Sequence, residues 1–366
     1  MIDPSTLQPE AAVQAIEFCY EQGWSDGLPL VPPTEAGLHD FLAQTDRVAD
    51  DVIAVAEHLG VEVTVQHAAV NSIMAGCLPE YFPVILAGIE ALWGGGKGVN
   101  PLLASTTGPV PLLLLNGPVR NRLGVNCAGS VFGPGFRANA TIGRAMRLII
   151  MNVIGLKPHD LDQATQSTPA KYTFCFGENE EESPWEPLHV ELGFRPEQST
   201  VTGYMARGTM HVENRTTQNP EFILNTIADA MSYGGAPHYF RKYPSLVVMG
   251  PEHAQILARQ GWSKSRVKHY LWAHFGRTVG EMKRMGKGDF EEIEPNSFAY
   301  VAEAGGHRMP GAEALEDGSF IQFANSPENI LLVVAGANNA GVSTIVPALG
   351  LGQLGSWPIE EIQFRL

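Results

Sequence analysis

The stretch Pro111-Leu-Leu-Leu-Leu115, followed at once by Asn116-Gly-Pro118, gives the first indication of the fold. A short apolar run between a proline and a turn signal is typical of a buried strand. Further along the chain, residues from about 138 to 153 have the pattern of a helix, which Gly155 and Pro158 bring to an end. A buried strand in the same region as a long helix favours layers of sheet and helix.

The second half of the chain alternates strands and helices more regularly. Residues 245–249, 298–301 and 330–335 have the composition of strands, and residues 251–259 have that of a helix. We therefore predict an α/β fold, with α+β as the alternative, in which helices cover a layered mixed sheet.

The sequence near residues 205–218 is polar and lacks hydrophobic periodicity, as expected of a boundary between structural units. We therefore predict two subdomains. Residues 1–210 would form a thiol and glycine-loop domain, and residues 211–366 would form a second α/β subdomain packed on the first.

Composition and charge exclude several classes of protein. The 366 residues are 44% hydrophobic and only 17% charged, and they include 39 glycines and 26 prolines, which indicates a globular protein with many ordered loops. The formal net charge of −15 repels phosphate backbones and anionic lipids. No apolar run reaches the length of a membrane span. We therefore expect neither a nucleic acid nor a membrane as partner, and we expect a homo-oligomer.

The cysteines indicate a reducing compartment. The chain has four of them, widely spaced and never in a CxxC pair, and its first residues lack the pattern of a signal peptide. We therefore expect a cytoplasmic protein without a disulfide framework. The cysteines are Cys19, Cys77, Cys127 and Cys175.

Cys77 is the strongest candidate for a catalytic residue. It follows Gly76 in an elbow between two predicted helices, at or just before the start of the second. Free N–H groups at a helix N-terminus stabilise a thiolate, which is the nucleophilic form of cysteine. Gly76 would leave room for a substrate to approach. The alternative is that Cys77 packs as a small apolar side chain.

A glycine-rich loop at residues 124–137 is the second candidate site. Gly135 and its neighbouring glycines allow a ligand close to the backbone, and Arg137 and Asn139 stand at the start of the following helix. A guanidinium beside a helix N-terminus is suited to binding a carboxylate or phosphate. In this interpretation Asn126 would stabilise an oxyanion. The alternative is a tight structural turn in which Arg137 pairs with an acidic residue.

No nucleotide-binding fingerprint is present. The run Gly94-Gly-Gly-Lys97-Gly98 lacks the GK[ST] ending of a phosphate-binding loop, and residues 336–343 have Val342 where the lysine belongs. A GxGxxG motif is also absent. We therefore predict no cofactor, although a metal ion is not excluded.

An acidic loop, residues 178–189, offers proton-transfer groups. Glu178 and Glu186 would each serve as a general acid or base if buried. Together with His189 they would also suit a hard metal cation, although no metal-ligand spacing such as HExxH or CxxC is found. The simplest alternative is a solvated loop.

Several long segments resemble one family of poorly characterised bacterial proteins. The stretch Asn71-Ser-Ile-Met-Ala-Gly-Cys77-Leu-Pro-Glu-Tyr-Phe-Pro83 resembles the NAVMAGCxPEYFPV motif of that family. Further similar segments occur over most of the chain. They are Gly133–Arg144, Phe174–Glu180, Ser183–His189, Gly250–His253 and Gly261–Ser263.

Proteins of this family are often encoded beside small UGSC-motif proteins, which are related to selenoprotein components of glycine-reductase-type systems. The resemblance implies thiol chemistry on a small molecule, with Cys77 as the reactive position and a UGSC-type protein as a partner. The family loop has serine where this chain has Cys127, which weakens any requirement for a Cys77–Cys127 pair.

These observations lead to one main hypothesis and two alternatives. We expect an enzyme that uses the Cys77 thiolate on a small carboxylate-bearing metabolite, as a carbon–heteroatom lyase, a hydrolase or a thiol-based reductase. The first alternative is a metal-dependent lyase or hydrolase that uses Glu178, Glu186 and His189. The second is a non-catalytic subunit of a two-component thiol or selenol system.

Overall fold

The structure is a computed structural model that describes residues 10–94, 104–233, 244–285, 316–349 and 358–365. The chain divides into two compact units. Unit 1 consists of Met1–Glu178, His189–Gly208 and Trp357–Leu366, and unit 2 consists of Asn179–Leu188 and Thr209–Ser356. Compared with the predicted boundary after residue 210, the segment from 179 to 188 belongs to unit 2 and the C-terminal segment belongs to unit 1.

Helices and strands alternate along the described chain. The α-helices are α1 (Glu10–Glu21), α2 (Glu35–Leu42), α3 (Val65–Ala75), α4 (Phe82–Trp93), α5 (Val119–Leu123), α6 (Arg137–Asn152), α7 (Leu188–Glu191), α8 (Pro220–Met231), α9 (Pro251–Arg259), α10 (Lys264–His274) and α11 (Val279–Arg284). The strands are β1 (Val52–Ala56), β2 (Val61–Thr64), β3 (Val110–Asn116), β4 (Cys175–Gly177), β5 (Thr200–Ala206), β6 (Met210–Glu213), β7 (Ser245–Met249), β8 (Gly276–Thr278), β9 (Phe320–Gln322), β10 (Ile330–Val334), β11 (Val342–Pro347) and β12 (Ile359–Glu361).

Unit 1 is built around a four-stranded mixed sheet in the order β12-β5-β3-β4. Strand β3 is parallel to β4 and antiparallel to β5, and all seven of its residues are buried. A separate antiparallel pair is formed by β1 and β2. Helix α4 contacts β5, and ten of its twelve residues are buried, so it lies inside unit 1.

Two glycines bring the helices of unit 1 close to its sheet. A Cβ atom at Gly88 of α4 would lie 2.9 Å from a methyl group of Leu113 on β3. A Cβ atom at Gly143 of α6 would lie 2.6 Å from the backbone nitrogen of Phe174, just before β4. Real Cβ atoms do not tolerate such contacts, so only glycine permits this spacing. Helix α6 also packs against α3, and this packing positions the candidate site.

Unit 2 contains a second four-stranded mixed sheet, in the order β10-β7-β11-β6. Strands β7 and β10 are parallel, whereas β11 is antiparallel to both of its neighbours. Helix α10 packs against α8 and contacts β10. A two-stranded antiparallel pair, β8 and β9, completes the described sheet structure of this unit.

The predicted fold class is confirmed, because helices accompany mixed sheets of parallel and antiparallel strands. The predicted strands 111–115 and 245–249 correspond to β3 and β7, and the predicted helix 251–259 corresponds to α9. The predicted strand 298–301 and residues 95–98 of the glycine run lie outside the described residues. Among the residues that are described, no helix has the length and apolar character of a membrane span.

Candidate functional site

Cys77 lies in an elbow between helical segments, as predicted. Helix α3 ends at Ala75, and Gly76 adopts a left-handed conformation with φ of 87°, which glycine adopts without strain. The N–H of Cys77 donates to the carbonyl of Ser72 at 3.1 Å and so closes the end of α3. A short 3₁₀ turn, Pro79–Tyr81, then leads directly into α4. The elbow therefore fixes the backbone of Cys77.

The first turns of α6 supply the polar surroundings of Cys77. The exposed Arg137 donates from Nε to the carbonyl of Gly76 at 3.0 Å. The hydroxyl of Thr141, one turn further along, lies within hydrogen-bonding reach of the Cys77 thiol and donates to the carbonyl of Arg137 at 2.8 Å. We call Gly76, Cys77, Arg137, Thr141 and Arg144 the Cys77 site.

Arg144 completes the site from a less exposed position. Its guanidinium holds Asp26 with two hydrogen bonds of 2.8 Å, and it also donates to the carbonyls of Leu28 and Pro29. This fork geometry fixes the segment that precedes α2 against α6. The positive charge of Arg144 also favours ionisation of Cys77.

Burial determines the charge state of the Cys77 thiol. Its side chain is only 6% exposed, and burial raises the pKa of the thiol to about 12. The hydrogen bond from Thr141 and the charges of Arg137 and Arg144 lower this pKa, but they do not offset the loss of solvation. At neutral pH the free protein therefore holds Cys77 as a neutral thiol. The predicted role of Cys77 as a nucleophile stays a prediction.

Cys175 is a second buried thiol that the sequence did not single out. It begins β4, and burial together with the nearby Cys77 raises its pKa. Cys127, in contrast, is half-buried, and its Sγ accepts a hydrogen bond from Nη1 of Arg120 at 3.8 Å. In the described structure Cys77 thus interacts electrostatically with Cys175. All four cysteines are free thiols.

The glycine-rich loop is held by a pair of asparagines. The N–H of Asn126 donates to Oδ1 of Asn139 at 2.8 Å, and Nδ2 of Asn139 donates back to the carbonyl of Asn126 at 2.9 Å. The side chain of Asn126 also bonds Ala128 and Gly129. Both amides therefore support the loop in this structure, and their predicted roles in oxyanion and substrate binding stay predictions.

Gly135 lies at the exposed end of the same loop, just before α6. Its φ is 117°, which is in the region that favours glycine, and an added Cβ would meet no atom within 4 Å. The surroundings of Gly135 are therefore open. Phe136, which follows it, gives α6 no side-chain cap, so Arg137 stands at an uncapped helix start beside Cys77.

Glu178 belongs to a buried polar cluster at the ends of the parallel strands β3 and β4. Its side chain is fully buried and accepts a 2.6 Å hydrogen bond from Nδ2 of Asn116. Its carbonyl accepts a 2.7 Å bond from Nη1 of the buried Arg120. The sequence analysis did not identify Asn116 or Arg120. Asn116 follows directly after four leucines, and a polar residue at the end of a buried strand is a pattern that could have identified it.

Glu186 and His189 lie in different units. Glu186 is exposed and belongs to unit 2, where its carbonyl accepts a bond from Lys264 at 3.0 Å. His189 is fully buried and belongs to unit 1, as does Glu178. Within the described parts of the chain, no group of three or more His, Cys, Asp or Glu side chains is arranged to hold a metal ion.

Comparison with known proteins adds no assignment to this geometry. No protein-family model matches the chain, and a search of curated proteins finds no match either. Any functional conclusion therefore depends on the residues of the Cys77 site and their surroundings.

Proposed function

We propose that the protein is an enzyme that acts on a small carboxylate-bearing metabolite, with Cys77 as nucleophile and Arg137 as the group that orients the carboxylate. The observation that carries this proposal is the position of Arg137, whose Nε donates to the carbonyl of Gly76, the residue before Cys77, at 3.0 Å. Arg137, Thr141 and Arg144 each favour the ionised form of Cys77. A cysteine that serves only packing needs no such partners.

The high pKa of the resting thiol is compatible with this role. A thiolate of high pKa is intrinsically more nucleophilic than one of low pKa, which offsets part of the loss in the ionised fraction. Inside the protein, hydrogen bonds and charges also act more strongly on a reacting group than they do in water. Cys77 would therefore ionise during the reaction, with Thr141 and the two arginines stabilising the sulfur as its proton leaves.

The carboxylate of the substrate would bind at the start of α6. Arg137 is exposed and uses its Nε for Gly76. Its terminal N–H groups are the part of a guanidinium that pairs with a carboxylate in a fork. Because Gly76 adjoins Cys77, a carboxylate held there would place the rest of a small molecule beside the sulfur. The proposal does not specify which bond is broken, because the choice between lyase, hydrolase and reductase chemistry depends on the substrate.

Of the two predicted acid/base residues, Glu178 belongs to the same unit as Cys77, and Glu186 belongs to unit 2. Glu178 would exchange a proton with a substrate at Cys77 either directly or through one water molecule.

The proposal also includes a reduced cytoplasmic setting and, from the family resemblance, a UGSC-type thiol or selenol protein as partner. The wide spacing of the four cysteines, without a CxxC pair, supports the reducing setting. Co-purification with a UGSC-type protein would support the partnership.

Turnover by variants tests the proposal. A panel of small carboxylates is incubated with the protein, and product formation is followed by mass spectrometry. We expect Cys77→Ser to lose activity at least tenfold, because the hydroxyl is a far weaker nucleophile than a thiolate. We expect Arg137→Gln to raise KM more than it lowers kcat. Cys19→Ser, which changes a buried cysteine of α1, serves as the control. Full turnover by Cys77→Ser would refute the proposed role.

A further inference from the structure

Unit 1 contains a cavity that the Cys77 chemistry does not use. It has a volume of about 490 Å³ and lies between the C-terminal half of α6 and the segment from Pro158 to Tyr172. Ligand pockets typically have volumes of about 300 to 1,000 Å³. Arg137 of the Cys77 site and Arg147 of this cavity are ten residues apart, which is about 15 Å along the axis of α6. The lining of the cavity includes neither Cys77 nor Arg137, although Asp26 of the lining pairs with Arg144 of the Cys77 site.

One wall of the cavity carries two cations and a single shared carboxylate. Oδ2 of Asp162 accepts from Nη2 of Arg147 at 3.0 Å and from Nζ of Lys171 at 2.5 Å. Oδ1 of Asp162 accepts from the backbone of Ala164 at 3.2 Å. This group, which we call the Asp162 triad, therefore carries one more positive than negative charge.

The two cations keep hydrogen-bond donors that Asp162 does not use. In the described part of the chain, the bond to Asp162 is the one side-chain hydrogen bond of Arg147 and of Lys171. A guanidinium has five N–H donors and an ammonium has three. Both side chains are largely buried, at 8% and 13% exposure. Cations so placed gain from an anion that fills their remaining donors.

The loss of solvation of the two cations also favours the binding of an anion. Burial lowers the pKa of Arg147 and that of Lys171, since each charged form has lost water without gaining a full set of partners. A bound anion would favour both charged forms.

The backbone around the cavity is also strained. Among the non-glycine residues that the structure describes, three have a positive φ, and two of them, His159 and Ser167, line the cavity. Such conformations cost free energy and tend to occur where a site requires them. Tight packing holds Ser167 in place, because a Cβ at Gly108 would lie 2.9 Å from its Cα.

The net charge of the cavity lining and its apolar residues indicate which kind of anion the cavity would bind. Asp26 also lines the cavity, but Arg144 neutralises it through two hydrogen bonds. The excess charge of the lining is therefore close to one, which favours a monoanion over a dianion. Met151, Pro158 and Pro169 supply an apolar surface beside the triad.

From these observations we infer that the Asp162 cavity binds a small organic monocarboxylate, whose carboxylate pairs with Arg147 and Lys171 and whose apolar body contacts Met151 and the two prolines. This inference goes beyond the proposed function, because the cavity involves neither Cys77 nor Arg137.

Binding of benzoate and hexanoate, measured by calorimetry, tests the inference. We expect each acid to bind at least about tenfold more tightly than its neutral amide, since only the acid pairs with the triad. Lys171→Gln should weaken binding of the acids about tenfold or more, whereas Lys157→Gln, which changes a lysine outside the cavity, should leave it unchanged. Binding should persist in Cys77→Ser, which separates this result from the fate of the proposed function.

The result would be overturned if the amides bound as well as the acids, if neither acid bound, or if inorganic phosphate bound more tightly than both. If Lys171→Gln does not fold, the wild-type protein provides the test. Benzoate or hexanoate should then slow the acylation of Lys171 relative to Lys157, as followed by mass spectrometry. Equal acylation with and without the acids would contradict the inference.

Discussion

In a variant whose only cysteine is Cys77, alkylation by iodoacetamide at pH 8 is expected to be about 50-fold slower than for a thiol with an ordinary pKa, after allowance for the higher nucleophilicity of a high-pKa thiolate. The reason is that burial raises the pKa of Cys77 from 9.0 to about 12. The thiolate, which is the reactive form, is therefore rarer by about three orders of magnitude. The rate should continue to rise with pH beyond the point where an ordinary thiol reaches its plateau.

Unfolding and substitution provide controls for this measurement. The same variant unfolded in urea should react as an ordinary thiol, because the pKa shift depends on the folded environment. Thr141→Val should raise the pKa of Cys77 further, since it removes a hydrogen bond that favours the thiolate. A folded protein that alkylates with an apparent pKa near 9 would show that Cys77 is more solvated than the structure indicates.

Asp162→Asn is expected to lower the free energy of unfolding by about 3 kcal/mol. Asp162 is the shared counter-ion of Arg147 and Lys171, and all three side chains are largely buried. Without its charge, two neighbouring cations would face each other with no carboxylate between them. Urea denaturation measures the loss. The exposed Asp160 offers a matched control, and Asp160→Asn should change stability by less than about 0.5 kcal/mol.

The same residue gives the protein an acid-sensitive contribution to stability. Burial opposes ionisation of Asp162, but the hydrogen bond and charge of Lys171 outweigh it, so the pKa of Asp162 is lowered. A carboxylate with a lowered pKa stabilises the folded state above its unfolded pKa of about 4 and loses this contribution as the pH falls through the folded value. Asp162→Asn should therefore flatten the acid side of the stability profile. A variant as stable as wild type, with an unchanged profile, would contradict the ion-pair account.

Replacement of Lys171 should recover part of the stability that is lost in Asp162→Asn. The double variant Asp162→Asn with Lys171→Met is expected to be more stable than Asp162→Asn alone, because one unpaired cation replaces two. Additive effects of the two substitutions would indicate that the residues do not interact.

Local sequence signals predicted some elements of the fold. The hydroxyl of Thr64 caps α3, and the predicted apolar run after Pro111 is the central strand β3. These elements depend on periodicity and capping, which are properties of neighbouring residues. Strand β5 was missed because its seven residues, Thr200–Ala206, include threonines, a glycine and a tyrosine rather than an apolar run.

The candidate site was predictable only in part. The elbow at Cys77 followed from the end of one helix and the prolines of the next, and Arg137 was found at the start of α6. Thr141 was not found, because its contact with Cys77 arises from the packing of α6 against α3. Burial, which determines the charge state of Cys77, likewise depends on the whole fold.

The roles of the other polar residues also depend on tertiary packing, which the local sequence does not determine. Asn126 and Asn139 have amide side chains of the kind found in active sites. In the structure, however, the two residues form a reciprocal pair of hydrogen bonds that supports the loop. Glu178 and Glu186 are neighbours in one acidic loop, yet the fold assigns them to different units. The Asp162 triad pairs Arg147 of α6 with residues of a later loop. No local sequence pattern predicts an ion pair of this kind.

The central claim, that Arg137 orients a carboxylate toward Cys77, is tested most directly by the ratio of two alkylation rates. Iodoacetate and iodoacetamide differ in one carboxylate, and the fraction of thiolate cancels in their ratio. At Cys77 this ratio is expected to exceed that of a small free thiol by about tenfold, the effect of one charge-assisted hydrogen bond, and to fall back in Arg137→Gln. A ratio equal to that of the free thiol, and unchanged in Arg137→Gln, would contradict the account.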